Sequence, residues 1–130
     1  MENHVEQLLI EAKIPHEIRP KKIDGKPDIV IPNESAYFDP NFPDEKLIIV
    51  GVKTTCKDRW RQVLNEGKRV KQKHILTTQK GISPYQLNEM HQSGVTLVVP
   101  TDLYKDYPKK REISLLSVEE FVSSVRKTLN

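Results

Sequence analysis

Val5, Leu8, Leu9 and Ala12 recur at the spacing of one helix face, so residues 2–13 are expected to form an amphipathic helix that Pro15 ends. Residues 20–27 are polar, contain Gly25 and Pro27, and read as a turn. Ile29, Val30 and Ile31 form a short apolar strand stopped by Pro32 and Asn33, and the acid- and amide-rich stretch 33–46 reads as a loop or wide hairpin connection. Leu47 to Val52 is strongly β-prone and continues through Lys53, Thr54 and Thr55. A helix is expected from about Lys57 to Lys71, with Trp60, Val63, Leu64 and Val70 on its inner face. Ile75 to Thr78 reads as another strand. Ser83-Pro84 starts a helix running to about Gln92, with Gly94 as its C′ residue. Val95 to Val99 is a buried strand closed by Pro100, and Ser117-Val118-Glu119-Glu120 is a capping box that opens a last helix to about Lys127.

The resulting order, α-β-β-α-β-α-β-α, ends on strands that each follow a helix. That favours parallel pairing with helices on the sheet faces, hence an α/β sandwich with a small mixed sheet. A length of 130 residues suits one domain, and 36% hydrophobic with 30% charged residues is an ordinary globular balance. No apolar run approaches the roughly 20 residues of a membrane span. The N-terminus lacks a basic stretch followed by an apolar one, so no secretory signal is read. Cys56 is the single cysteine, which suits a reducing compartment; a cytoplasmic protein is expected.

The net charge of +3 says little alone, but its placement says more. Lys53, Lys57, Arg59, Arg61, Lys68, Arg69, Lys71 and Lys73 fall within 21 consecutive positions, opposed only by Asp58 and Glu66. This is either a field that attracts phosphate backbones or a solvated helix face.

Pro27-Asp28 opens one strand and Val52-Lys53 lies near the end of the next, so adjacent strands can bring Asp28 beside Lys53. A carboxylate there can hold Mg²⁺, and a lysine can orient or deprotonate a water and neutralise charge building on a phosphate. This arrangement resembles the PD-(D/E)xK nuclease superfamily, although Gly51 stands where that pattern has an acid. Glu66 lies 13 residues after Lys53 and can replace the missing strand acid from the following helix; alternatively it is an exposed residue paired with Arg59 or Arg69.

The block Lys53-Thr54-Thr55-Cys56-Lys57-Asp58-Arg59-Trp60-Arg61-Gln62, followed by Glu66, resembles the catalytic domain of the EcoRII-type restriction endonucleases. Pro27-Asp28, Tyr37, the segments 73–77 and 94–100, and Tyr107-Pro108 flank it in the family's order, so the likeness covers roughly residues 26–127. It implies a restriction-endonuclease-like α/β/α sandwich forming one nuclease domain over 1–130, with a shorter segment before Pro27 than the family carries. It implies Asp28 and Glu66 as Mg²⁺ ligands and Lys53 as the catalytic lysine. Tyr37 matches a position linked to activity, where its phenol either donates to a phosphate or packs. Lys57, Asp58 and Arg59 match the sequence-reading segment, whose residue types suit G·C pairs in the major groove. Arg61 and Gln62 are candidate backbone contacts. The implied target is double-stranded DNA at a CCNGG or CCWGG-like site, cut by a homodimer within a system that includes a cognate DNA methyltransferase. Two further readings share the fold: a repair or junction nuclease that reads DNA shape, and a DNA-binding remnant without catalysis.

Overall fold

The computed structural model describes residues 2–53, 60–78, 82–107 and 115–129. Among these residues, four helices, α1 (Glu2–Glu11), α2 (Glu34–Phe38), α3 (Pro84–Gln92) and α4 (Val118–Leu129), accompany a six-stranded sheet. Its strands are β1 (Glu17–Ile18), β2 (Ile29–Ile31), β3 (Ile48–Lys53), β4 (Lys73–Thr77), β5 (Val95–Val99) and β6 (Leu115–Ser117), arranged in chain order. β1, β2 and β3 pair antiparallel, and β3 through β6 pair parallel. The expected mixed sheet is present.

Alternation along the strands sorts the core into two faces. Ile29 and Ile31 of β2, Ile48 and Val50 of β3, Leu76 of β4 and Val98 of β5 pack against Val5 and Leu9 of α1 and Phe121 and Val125 of α4. Leu97 and Val99 of β5 and Ile75 of β4 pack on the opposite face, with Leu87 and Met90 of α3 and with Trp60 and Val63. Val30 and Ile49 join Ile23, Tyr37, Leu47 and Val70 in a smaller cluster.

Two helix starts follow their sequence signals. Ser83 Oγ accepts from Gln86 N–H at 3.2 Å with Pro84 in the first turn, and Gly94 closes the α3 region at φ +83°. At α4 the capping box is reciprocal: Glu120 N–H donates to Ser117 Oγ at 3.1 Å and Ser117 N–H donates to Glu120 Oε1 at 2.9 Å.

Three departures from the sequence reading have local causes. The stretch 33–46 is more ordered than a loop, because Asn33 Oδ1 accepts from Ala36 N–H at 2.7 Å and caps α2. A 3-10 helix at Asp44–Lys46 then leads into β3. Strands β1 and β6, too short to carry a periodic pattern, form the sheet edges. The helix expected from Lys57 to Lys71 is, over its described part, a 3-10 helix at Trp60–Asn65, followed by turns. Residues three apart eclipse in a 3-10 helix, which explains why Trp60, Val63 and Glu66 are all buried. Gly67, at φ +62°, prevents helical continuation.

Candidate active site

The strand pleat sets the first part of the site. Ile49, Gly51 and Lys53 face the side of the sheet away from α1 and α4, as does Val30 on the neighbouring strand. Asp28 lies two residues before Val30 and so faces the same side. The β2–β3 register pairs Ile29 with Val50, which brings the approach to β2 alongside the end of β3. Val52 N–H donates to Asp28 Oδ2 at 2.7 Å, extending the pairing by a side chain and fixing the carboxylate.

Glu66 enters from the end of the 3-10 helix. Lys53 Nζ lies 3.6 Å from Asp28 Oδ2 and 3.8 Å from Glu66 Oε2, so one ammonium sits between two carboxylates contributed by separate segments. These side chains are neither fully solvated nor sealed: 19% exposed for Lys53, 23% for Asp28 and 10% for Glu66. The site is therefore reachable from solvent while keeping much of the field that bulk water would screen. Burial raises the Glu66 pKa above its ordinary value; Lys53 opposes that rise, Asp28 adds to it and Lys73 opposes it.

Glycine at position 51 has a spatial reason. A Cβ there would meet Val63 Cγ2 at 3.3 Å, Glu66 Oε1 at 3.8 Å and Lys53 Cε at 3.8 Å. The space a strand acid would fill is thus bordered by the Glu66 carboxylate. The structure brings Glu66 beside this space, but by a route other than the one expected. Glu66 reaches the site from a turn with a buried side chain, and not from the exposed face of a long α-helix.

Polar groups behind Glu66 hold that turn. Gly67 N–H donates to Asp24 O at 2.8 Å, Lys68 N–H donates to Asp24 Oδ2 at 2.9 Å, and Tyr37 O–H donates to Asp24 Oδ1 at 2.6 Å. Burial opposes ionisation of Asp24, but the hydrogen bonds from Tyr37 and Lys68 outweigh it and leave its pKa lowered. Tyr37 itself is 6% exposed; burial and the bond to Asp24 raise its pKa. Its hydroxyl also accepts from Arg69 N–H at 3.3 Å. Arg69 Nε reaches Asp44 Oδ1 at 2.6 Å, and its Nη1 donates to the carbonyls of Ala36, Tyr37 and Asp39. Beneath the turn, the buried Lys73 Nζ donates to the carbonyls of Gly67 and Val70. Burial lowers the Lys73 pKa, with Asp24 and Glu66 pulling it back up.

Gly25 completes this packing. At φ +73°, it lies so close to the Glu66 turn that an added Cβ would be 2.1 Å from Asn65 O and 2.7 Å from Glu66 Cα. Only glycine allows this backbone contact, which places the loop before Asp28 directly against the turn carrying Glu66. Sequence reading missed Asp24, Gly25 and Lys73. The polar turn around Gly25 was the visible signal, but its contact partner lies 40 positions downstream.

Asp28, Lys53 and Glu66 therefore come together, while Tyr37 sits behind the Glu66 turn with its hydroxyl bonded to Asp24 and Arg69. Arg61 pairs with Glu89 at 2.5 Å and lies over the Trp60 ring, 4.7 Å from its centroid. Trp60 is 3% exposed and belongs to the core, as its spacing suggested; Gln62 is exposed. Lys57, Asp58 and Arg59 lie outside the described residues.

The donor set fits a hard divalent cation. Two carboxylates converge on one ammonium, and Glu66 Oε1 is buried without a hydrogen-bond partner. A buried carboxylate oxygen left alone is costly, and a cation is one group that relieves it. Among the described residues, no group of three or more His, Cys, Asp or Glu side chains gathers as a metal cluster. Any such ion would draw its remaining ligands from water or substrate, as Mg²⁺ commonly does.

Residues 1–122 match the family model described as EcoRII C terminal. The chain belongs to the EcoRII C-terminal family. It is 43% identical over 127 residues to the type II restriction enzyme EcoRII of Escherichia coli, covering 96% of this chain and 31% of that protein. The likeness thus reaches back over α1, ahead of the stretch 26–127. Among solved structures, metal-depleted Ecl18kI in complex with uncleaved, modified DNA superposes with a TM-score of 0.83 at 22% identity, covering 98% of this chain and 43% of that one. Metal-depleted Ecl18kI with uncleaved DNA gives 0.78 at 21% identity, with the same coverage. These superpositions assign the restriction-endonuclease-like α/β fold. The chain is type II restriction endonuclease-like and spans less than half the length of these relatives. No described helix is long and apolar enough to cross a membrane.

Proposed function

We propose that this chain is the catalytic domain of a type II restriction endonuclease that hydrolyses phosphodiester bonds in double-stranded DNA with Mg²⁺. The observation that carries the reading is the Lys53 ammonium held between the carboxylates of Asp28 and Glu66. Family membership and the DNA complexes of the structural neighbours support it.

Asp28 and Glu66 are the residues that would hold Mg²⁺. When bound, the ion supplies Lewis-acid polarisation of a phosphoryl oxygen and a water of lowered pKa. The chain's own residues do the rest. Lys53 places a positive charge beside the scissile phosphate, where it orients the attacking water and neutralises charge that develops in the transition state. The Val52 N–H fixes Asp28, so little reorganisation is needed as that charge appears. Tyr37 serves the reaction through Asp24, by holding the turn that carries Glu66.

Lys57, Asp58 and Arg59 follow the strand that ends at Lys53 and supply the base-reading groups for a CCNGG or CCWGG-like site. Gln62 and Arg61 contact the DNA backbone, Arg61 by exchanging Glu89 for a phosphate. A palindromic site calls for a homodimer with one active site per strand, and a cognate DNA methyltransferase protects the host.

The test is a plasmid digest with Mg²⁺ and mapped ends, run beside Lys53→Ala. Discrete fragments sharing one motif are expected from the parent chain. Lys53→Ala should abolish cutting while keeping duplex binding, because its role is to stabilise the transition state. Full activity in Lys53→Ala would sink the mechanism. Cutting confined to branched DNA would assign a shape-reading nuclease, and binding without cutting a non-catalytic remnant.

A further inference from the structure

Beside Asp28, on the side away from Lys53's strand, lies a cleft of about 510 Å³ bordered by Arg19, Pro20, Lys21, Lys26, Pro27 and Asp28. It is formed by the end of β1 and the turn that leads into β2. Arg19 N–H donates to the carbonyl of Asp28 at 2.8 Å, so one wall is fastened to the residue at the centre of the active site. Arg19 at φ +51° and Lys26 at φ +49° both hold left-handed backbone that side chains other than glycine seldom adopt.

The charges around the cleft are sorted. Asp24 is engaged by the Tyr37 hydroxyl and Lys68 N–H, and turns toward the Glu66 segment. Glu34 accepts from Lys22 N–H at 2.8 Å, and Glu17 accepts from Glu34 N–H at 3.2 Å. The nearby acids are thus committed to backbone groups or to the turn. Lys21 and Lys26 are exposed, and neither side chain makes an ion pair or hydrogen bond among the described residues. The prolines stiffen the walls, and the cleft opens directly onto Asp28.

We propose that this cleft seats the DNA phosphodiester backbone next to the phosphate being cut, with Lys21 and Lys26 as its phosphate contacts. The inference rests on the nuclease reading. It goes beyond it by assigning strand binding to a segment 27 or more positions away from the basic block that follows Lys53. A strand whose scissile phosphate lies at Asp28 and Lys53 must continue past Asp28, and the cleft is the positively charged surface there. Its function is to set the register of the strand over the carboxylates, not to read bases.

The test measures duplex affinity across salt concentration for the full chain carrying Lys53→Ala, which blocks cutting. Lys21→Gln and Lys26→Asn are added together, asparagine being tolerant of left-handed backbone. Loss of two phosphate contacts should lower the slope of log affinity against log salt by about 1.8 and shrink the affinity change between 50 and 200 mM salt by about tenfold. Lys21→Arg with Lys26→Arg should restore the slope. A measurement independent of the variants replaces single phosphates flanking the scissile one with neutral methylphosphonates; one such position should weaken binding by the parent and not by the Gln/Asn variant. An unchanged slope in a chain that still binds duplex overturns the inference alone. Failure of the Lys53→Ala chain to bind duplex, or of the chain with Lys53 intact to cut it, overturns the nuclease reading, and the inference with it.

Discussion

Gly51 and Glu66 are best understood as one unit. The strand position that would carry an acid is bordered by Val63, Glu66 and Lys53: an added Cβ would press on Val63 at 3.3 Å and touch Glu66 and Lys53 at 3.8 Å. Gly51→Asp should place two carboxylates against each other, favouring protonation of one and weakening the site. Glu66→Ala should cost at least about 10²-fold in cleavage, as loss of a preorganised electrostatic group does. In that background, Gly51→Asp should recover on the order of tenfold, because the new strand acid occupies the vacated space. Cleavage rates of the two single variants and the double variant check this; a double variant slower than Glu66→Ala would refute the exchange. His74 carries a prediction of a different kind. Its Nδ1 is buried without a partner, its ring packs 5.3 Å from that of Phe121, and burial pulls its pKa down to about 4 from 6.5. The unfolded chain therefore binds this proton more readily than the folded one. The neutral histidine's full contribution is present above pH 6.5 and is lost as pH falls toward 4, by on the order of 3 kcal/mol. Urea unfolding should show a steep loss over that window in the parent and a shallower one in His74→Leu. Equal pH slopes would remove His74 as the cause.

At the scale of elements, the site is a meeting of three segments: the entry to β2, the end of β3 and the turn after the 3-10 helix at Trp60–Asn65. The first two are joined by antiparallel pairing and the Asp28–Val52 hydrogen bond. The third is fixed by packing, because Trp60 and Val63 are buried with Ile75 and Leu87 while Asp24, Tyr37 and Lys73 hold the turn from outside and below. This division explains what the sequence made readable. The β-prone run ending at Lys53 and the apolar triplet after Asp28 announced their strands. The segment expected as a helix from Lys57 to Lys71 is legible as amphipathic, but the spacing of three from Trp60 to Val63 suits both an α-helix and a 3-10 helix. The choice was made by Gly67 and by the contact with Gly25, neither of which appears in a local hydrophobic pattern.

Across the whole molecule, the two sheet faces divide the labour. Lys53 and Glu66 lie on the face away from α1 and α4, whose side chains fill the other face with Ile29, Ile31 and Val50. Leu9 of α1 is 0% exposed and belongs to that second cluster. Leu9→Ala should therefore destabilise the fold by about 2–5 kcal/mol and lower Tm by roughly 10 °C. Cleavage well below Tm should stay near the parent's value, because the strand positions that hold the site are set by pairing with their neighbours. Thermal melts and low-temperature digests separate the two effects; a large loss of cleavage with little loss of Tm would show that α1 acts on the site directly.

By itself the sequence determined the strand that follows Asp28 and the one that ends at Lys53, both capping signals, helices on the sheet faces and the block that resembles the family. These follow from residue spacing and local chemistry, which act within a few positions of the chain. Tertiary structure alone decided that Glu66 is buried and faces Lys53, that Tyr37 binds Asp24, and that Gly25 and Lys73 clamp the Glu66 turn. Those contacts join residues far apart in sequence, and they are selected by shape and by the need to satisfy buried charge and hydrogen-bonding groups, which no local pattern records.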